Sequence, residues 1–180
     1  MVRVGVFIDV QNIQETFERQ GGEVRYDILK DYILKTYNAK INEVKFLAFI
    51  PYKEDDDKRL RLIDALSFMG FRVFSKRVKE RPNGSFKANM DVEMVLEAVA
   101  LAPHLDEIVL ISGDSDFVPL IDFLSKMGKR ITVLGPGRGP TSIELIRASD
   151  EYKNLDEVEG VVIRRYPLYE RPKPEEEIEI

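Results

Sequence analysis

Cysteine and tryptophan are absent from the 180 residues, and histidine occurs once. Without cysteine there is no disulfide, no thiolate metal site and no thiol nucleophile. His104 cannot build a zinc site alone, and its place after Pro103 marks it as a surface residue. No apolar run approaches the roughly 20 residues that cross a bilayer. The start, MVRVGVFID, lacks a signal-peptide cleavage pattern, so a cytoplasmic protein with no membrane role is expected. Positive charge is also in deficit: 27 Lys and Arg stand against 32 Asp and Glu, a net charge of -5. Binding to nucleic acid would therefore need a local basic patch or metal ions.

What is present suits one packed domain. Hydrophobic residues make up 44% of the chain, enough for a full core with a tail left over. The domain is expected over 1–155, with 156–180 as a C-terminal extension, partly extended or disordered; its end, Tyr166 to Ile180, holds three prolines and Glu175-Glu176-Glu177.

Strands and helices alternate. Val2 to Ile8 reads as a buried first strand, and Ile13 to Arg19 as a short helix that Gly21-Gly22 breaks. Tyr26 to Tyr37 carries apolar residues at helical spacing. Val44 to Ile50 is a second strand, which Pro51 is expected to stop. Glu54 to Arg59 is a charge run, suited to the solvated first turn of a helix that continues to Met69. Phe71 to Ser75 is a third strand. Lys76 to Lys87 is basic and irregular, a loop or short hairpin around Pro82-Asn83-Gly84. A helix from near Asn89 to Ala102 carries Met90, Met94, Val95, Ala98 and Leu101 as a core stripe. Ile108 to Ile111 is a fourth strand, Arg130 to Leu134 a fifth, and Thr141 to Ala148 a last helix. The glycine- and proline-rich loop Gly135 to Pro140 is no phosphate-binding P-loop, since no Gly-Lys-Ser/Thr follows. Asp150-Glu151-Tyr152 returns toward the sheet, and Val161 to Ile163 could add a strand. The alternation implies a mainly parallel sheet with helices on both faces.

The chemistry concentrates in Ile108 to Leu124, IVLISGDSDFVPLIDFL. A buried strand runs into Ser112-Gly113-Asp114-Ser115-Asp116 and then a helix. In open α/β sheets ligands bind at the carboxyl ends of strands. Asp is also a common helix N-cap, and Ser-Gly-Asp is ordinary turn vocabulary. Asp9, however, ends the first strand, and Asp91 opens a helix that starts on the same sheet edge if the strands are parallel. Four carboxylates, Asp9, Asp91, Asp114 and Asp116, repel one another without a counter-charge. Hard oxygen ligands of this kind suit Mg²⁺ or Mn²⁺. With no nucleophilic cysteine and no Ser–His pair, metal-assisted attack of water on a phosphate ester is the chemistry that fits. Lys76, Arg77, Lys79, Arg81, Lys87 and Arg138 could grip a phosphodiester backbone.

VFIDVQN (Val6 to Asn12), KANMDVEMVLEA (Lys87 to Ala98) and LISGDSDFVPLIDFLSKMGKRITVLGP (Leu110 to Pro136) resemble the signatures of the NYN domain, LabA-like branch, within the PIN-like nuclease superfamily. The resemblance covers roughly residues 2 to 155. It implies a Rossmann-like three-layer α/β/α sandwich with a mainly parallel five- to six-stranded sheet, a divalent-metal site, and RNA as substrate. On these motifs Asp9, Asp91, Asp114 and Asp116 match the acidic catalytic and metal positions. Asn12 matches a polar residue that orients ligand or substrate, and Lys87 a lysine before the helix acid. Ser112 lies in the signature, within reach of water or phosphate. The family often has Lys-Gly shortly before that acid; here Lys87-Ala88-Asn89-Met90-Asp91 is one residue longer. The expectation is a metal-dependent ribonuclease, an endonuclease. The alternative is a non-catalytic RNA-binding or regulatory module using the same pocket. A phosphatase is a third reading, but the nucleophilic D-x-D-x-T/V signature is absent at Asp9-Val10-Gln11. Relatives often form homodimers, and Val161 to Tyr169 could pair with another subunit.

Overall fold

The protein is represented by a computed structural model that describes residues 2–80, 86–87 and 89–164, with backbone alone for 79–80 and 86–87. Arg81, the Lys87 side chain and the tail from Tyr166 to Ile180 lie outside the described residues.

Six strands form one parallel sheet: β1 (Val4–Asp9), β3 (Val44–Tyr52), β4 (Arg72–Arg77), β7 (Glu107–Ile111), β8 (Arg130–Gly135) and β9 (Glu151–Asn154). Their spatial order is β4-β3-β1-β7-β8-β9, and every neighbouring pair is parallel. The chain winds outward from β1 in one direction, returns to the centre, and winds outward in the other. The point of reversal falls between β1 and β7, where Val4 is in register with Glu107 and Ile8 with Ile111. Such a switch point leaves a crevice at the carboxyl ends of the two central strands.

The central strands read as continuous apolar runs because both faces are covered. On one face Val6, Ile8, Phe46, Ala48 and Ile111 pack against α1 (Val10–Arg19), α2 (Tyr26–Thr36) and α3 (Asp57–Phe68). On the other Phe7, Leu47, Phe49, Ile108 and Leu110 meet α4 (Asp91–Leu101), α5 (Val118–Lys126) and α6 (Ile143–Ala148). The result is a three-layer α/β/α sandwich, as the sequence pattern implied.

Several details differ from the sequence pattern. Pro51 does not stop β3, which continues to Tyr52. It lies beyond Phe49, the last residue of β3 paired with β1, so β3 has a neighbour on one side only and a missing amide is tolerated. Gly22–Val24 forms a short strand, β2, that the glycine pair had hidden. It pairs antiparallel with β10 (Val162–Arg164), so the described part of the segment considered for pairing with a second subunit bonds to its own chain. The basic stretch holds a two-residue hairpin, β5 (Lys79–Glu80) with β6 (Phe86–Lys87). A 3-10 turn, Ser115–Phe117, precedes α5. His104 is exposed in another 3-10 turn. Among the described residues no helix is long and apolar enough to cross a membrane.

Candidate metal centre

Asp9 is both the last residue of β1 and the N-cap of α1. Its Oδ1 accepts from the Asn12 amide at 3.2 Å, and its Oδ2 from the Ser112 hydroxyl at 3.0 Å. Ser112 is fully buried at the end of β7 and also accepts from the Asp114 amide at 3.2 Å. Asn12 reaches across the switch point, its Oδ1 accepting from the Gly113 amide at 2.9 Å. One side chain from each of the two motifs thus clamps the other motif's backbone or side chain. Asp114 caps the 3-10 turn, with Oδ1 accepting from the Asp116 amide at 2.9 Å. Asp91 opens α4, and Asn89 donates to its Oδ2 at 2.9 Å.

These acids share one cleft of about 220 Å³. Carboxylate oxygens of Asp91, Asp114 and Asp116 lie within 4.8 Å of one another. Asp9 lines the same cleft but stands outside that triad. Its carboxyl is pushed up to about 6, first by burial and then by the charges of Asp91 and Asp114, against the pull of its two hydrogen bonds. The Asp91 carboxyl is raised as well, by burial and then by Asp114, Asp116 and Glu93. Such a site is short of positive charge. Three hard oxygen donors this close fit Mg²⁺ or Mn²⁺, which bind through a few carboxylates and keep their other positions for water or phosphate. The donor set therefore fits the ion that the motifs implied.

All four acids, with Asn12 and Ser112, meet at this one site. Arg138 does not line it; its side chain lines a separate cleft between α2 and the end of β9. Lys76 and Arg77 end β4 and do not line the cleft; Lys76 pairs with Glu93 of α4 and Arg77 with Glu54. Gln11, Glu15 and Asn89 line the acidic cleft without having been singled out from the sequence. Their signal was available: Glu15 follows Asn12 by three residues, on the same helix face, and Asn89 precedes Asp91 by two. The Gly135–Pro140 loop also approaches the site. A Cβ on Gly113 would stand 2.6 Å from the Pro140 carbonyl oxygen, and the Ser142 amide donates to the Gly113 carbonyl at 2.9 Å.

A parallel sheet in this strand order, with carboxylates gathered at its switch point, defines an α/β protein of the Rossmann-like, PIN-like class. Residues 3–156 match the NYN domain, and the chain belongs to that family, on its LabA-like branch. It is 30% identical over 178 residues to the low amplitude and bright protein LabA of Synechococcus elongatus, covering 96% of this chain and 91% of that protein. A crystal structure of a protein of unknown function from Vibrio parahaemolyticus superposes with a TM-score of 0.74 at 28% identity, covering 87% of this chain and 94% of the other. The NYN family is in general one of nucleases, and an acidic cluster of the matching kind is present here.

Proposed function

We propose that the protein is a metal-dependent ribonuclease, cutting internal phosphodiester bonds of RNA at the acidic cleft. The observation that carries this reading is the triad of Asp91, Asp114 and Asp116, its oxygens within 4.8 Å of one another at the sheet's switch point. These three residues, with Asp9 beside them, would hold Mg²⁺ or Mn²⁺. Bound there, the ion would supply Lewis-acid stabilisation of the phosphate and lower the pKa of the attacking water. The chain's own groups set the geometry. Ser112 fixes Asp9 and the Asp114 amide together, Asn12 holds the turn through Gly113, and Asn89 orients Asp91. Ser112 and Asn12 thereby act as positioning residues. Lys79 and Lys87 of the basic stretch would supply phosphate contacts along the RNA, joined by Lys76 and Arg77 at the end of β4 where substrate displaces Glu93 and Glu54 from them.

Cleavage of a labelled structured RNA with Mn²⁺, Mg²⁺ or EDTA tests this directly. Cutting should need the ion, and Asp114→Asn should lower the rate by roughly a thousandfold or more, since several kcal/mol of charge stabilisation is lost. Equal turnover in wild type and variant would remove the mechanism. Metal-dependent RNA binding without cutting would instead identify a binding module. The ion pairs that already occupy Lys76 and Arg77 favour that second reading, because they leave fewer free cations to grip a substrate.

A further inference from the structure

The cleft that takes Arg138 is larger than the acidic one, about 600 Å³. That is within the range of small-ligand pockets, about 300–1,000 Å³. Tyr32 and Lys35 of α2 form one wall, Lys153 at the end of β9 another, and Arg138 the rim. The Lys153 ammonium lies 6.0 Å from the Tyr32 ring centroid and pairs with Glu151 at 3.2 Å. Arg138 and Lys35, by contrast, make no ion pair with any described residue. Both are exposed, and Arg138 sits between Gly137 and Gly139 on the loop whose far end packs on Gly113 of the acidic turn. An aromatic ring beside uncommitted cations suits a base and a phosphate together. Asp31 on the same wall offers acceptors to a base's amino group and, with Glu157 and Glu159 across the cleft's lining, opposes more negative charge than one phosphate carries.

The geometry points to this cleft as a nucleotide subsite that takes one nucleoside monophosphate unit, its phosphate on Arg138 and Lys35 and its base against Tyr32. The unit comes either as a free mononucleotide or as one residue of an RNA strand. In the second case the site rests on the reading of the acidic cleft as an RNA site, since the Gly135–Pro140 loop joins the two.

Calorimetric titration of the full chain in EDTA, with AMP, GMP, CMP and UMP in one arm and a short oligoribonucleotide in the other, tests the subsite without metal or cleavage. Saturable binding of a mononucleotide, weakened about tenfold or more by Arg138→Glu and by Tyr32→Ala, establishes the free-nucleotide source. Binding of the oligonucleotide alone, with the same sensitivity, establishes the strand source. Circular dichroism of both variants checks folding, and exposed Arg138 keeps the test valid if Tyr32→Ala unfolds. Absence of binding in both arms, or binding indifferent to Arg138→Glu, overturns the proposal. Binding lost in Asp114→Asn but kept in Arg138→Glu would put the ligand in the acidic cleft and overturn it equally. Metal-dependent RNA cleavage that persists beside any of these failures leaves the nuclease reading standing, so the two fail separately.

Discussion

Asp9 sits where its charge is least welcome. Burial lifts its carboxyl to about 6 in the folded protein, from 3.8 for a free aspartate. A group with a raised folded-state value stabilises the fold fully at low pH, below its unfolded value, and that contribution is lost as pH rises through 6. The penalty above pH 6 is on the order of 3 kcal/mol at 1.36 kcal/mol per tenfold. In EDTA, Asp9→Asn should therefore stabilise the protein at pH 8 by about 2 kcal/mol and change little at pH 4. The amide oxygen can still cap α1, but the amide nitrogen cannot accept from Ser112, so it is the difference between the two pH values that reads the charge. Urea unfolding at the two pH values reads the effect, and parallel curves for wild type and variant would refute the burial account. Gly113 is constrained by space rather than charge. A Cβ there would meet the Pro140 oxygen at 2.6 Å and the Thr141 Cα at 3.2 Å, both backbone atoms. Gly113→Ala should lose about 1–3 kcal/mol in the same assay. No change in the midpoint would mean that the Gly135–Pro140 loop gives way freely.

Among the elements, those with a strong period were legible and those held by pairing alone were not. The apolar runs at Val4, Val44, Glu107 and Arg130 became the buried parallel strands, with every end within two residues of expectation. The core stripe of α4 is real, with Met90, Met94 and Ala98 buried. The strand β2 was hidden because Gly22–Val24 has no alternation of its own and exists through its partner Val162–Arg164. Its partner is fixed by Arg164, which bonds to Asp156 and Gln20. The charge run before α3 starts a helix, as its composition suggested. Asp56 accepts from the Arg59 amide at 2.9 Å as an N-cap. Asp56→Ala should lower stability by about 1 kcal/mol, the usual worth of a cap. It should leave the thermal response to Mn²⁺ intact; a lost response would show that the run contributes to ion binding after all.

At the scale of the whole molecule, the acidic site is a consequence of strand order. Asp9 and Asp114 are far apart in sequence and become neighbours only because β7 returns to lie beside β1. The sequence showed that each acid ends a strand or opens a helix, which was enough to expect convergence on one edge. It could not show the distances, nor that Arg138, two strands further along the sheet, would turn to another cleft. The same geometry makes the metal-free fold self-repulsive: Asp91 is raised by burial and by the charges of Asp114 and Asp116. An ion that binds only the folded state stabilises it by mass action, about 2.7 kcal/mol at a hundred times its dissociation constant. Mn²⁺ should thus raise the melting temperature of the wild type by several degrees, given about 2–4 °C per kcal/mol for a domain of this size. Asp91→Asn removes one donor and one repelling charge together. In EDTA at pH 8 that variant should melt higher than the wild type, and Mn²⁺ should shift it far less. The two effects have opposite signs on one residue, which separates electrostatic strain from simple damage. A variant that melts lower in EDTA and still responds fully to Mn²⁺ would mean that Asp91 supports the fold and takes no part in holding the ion.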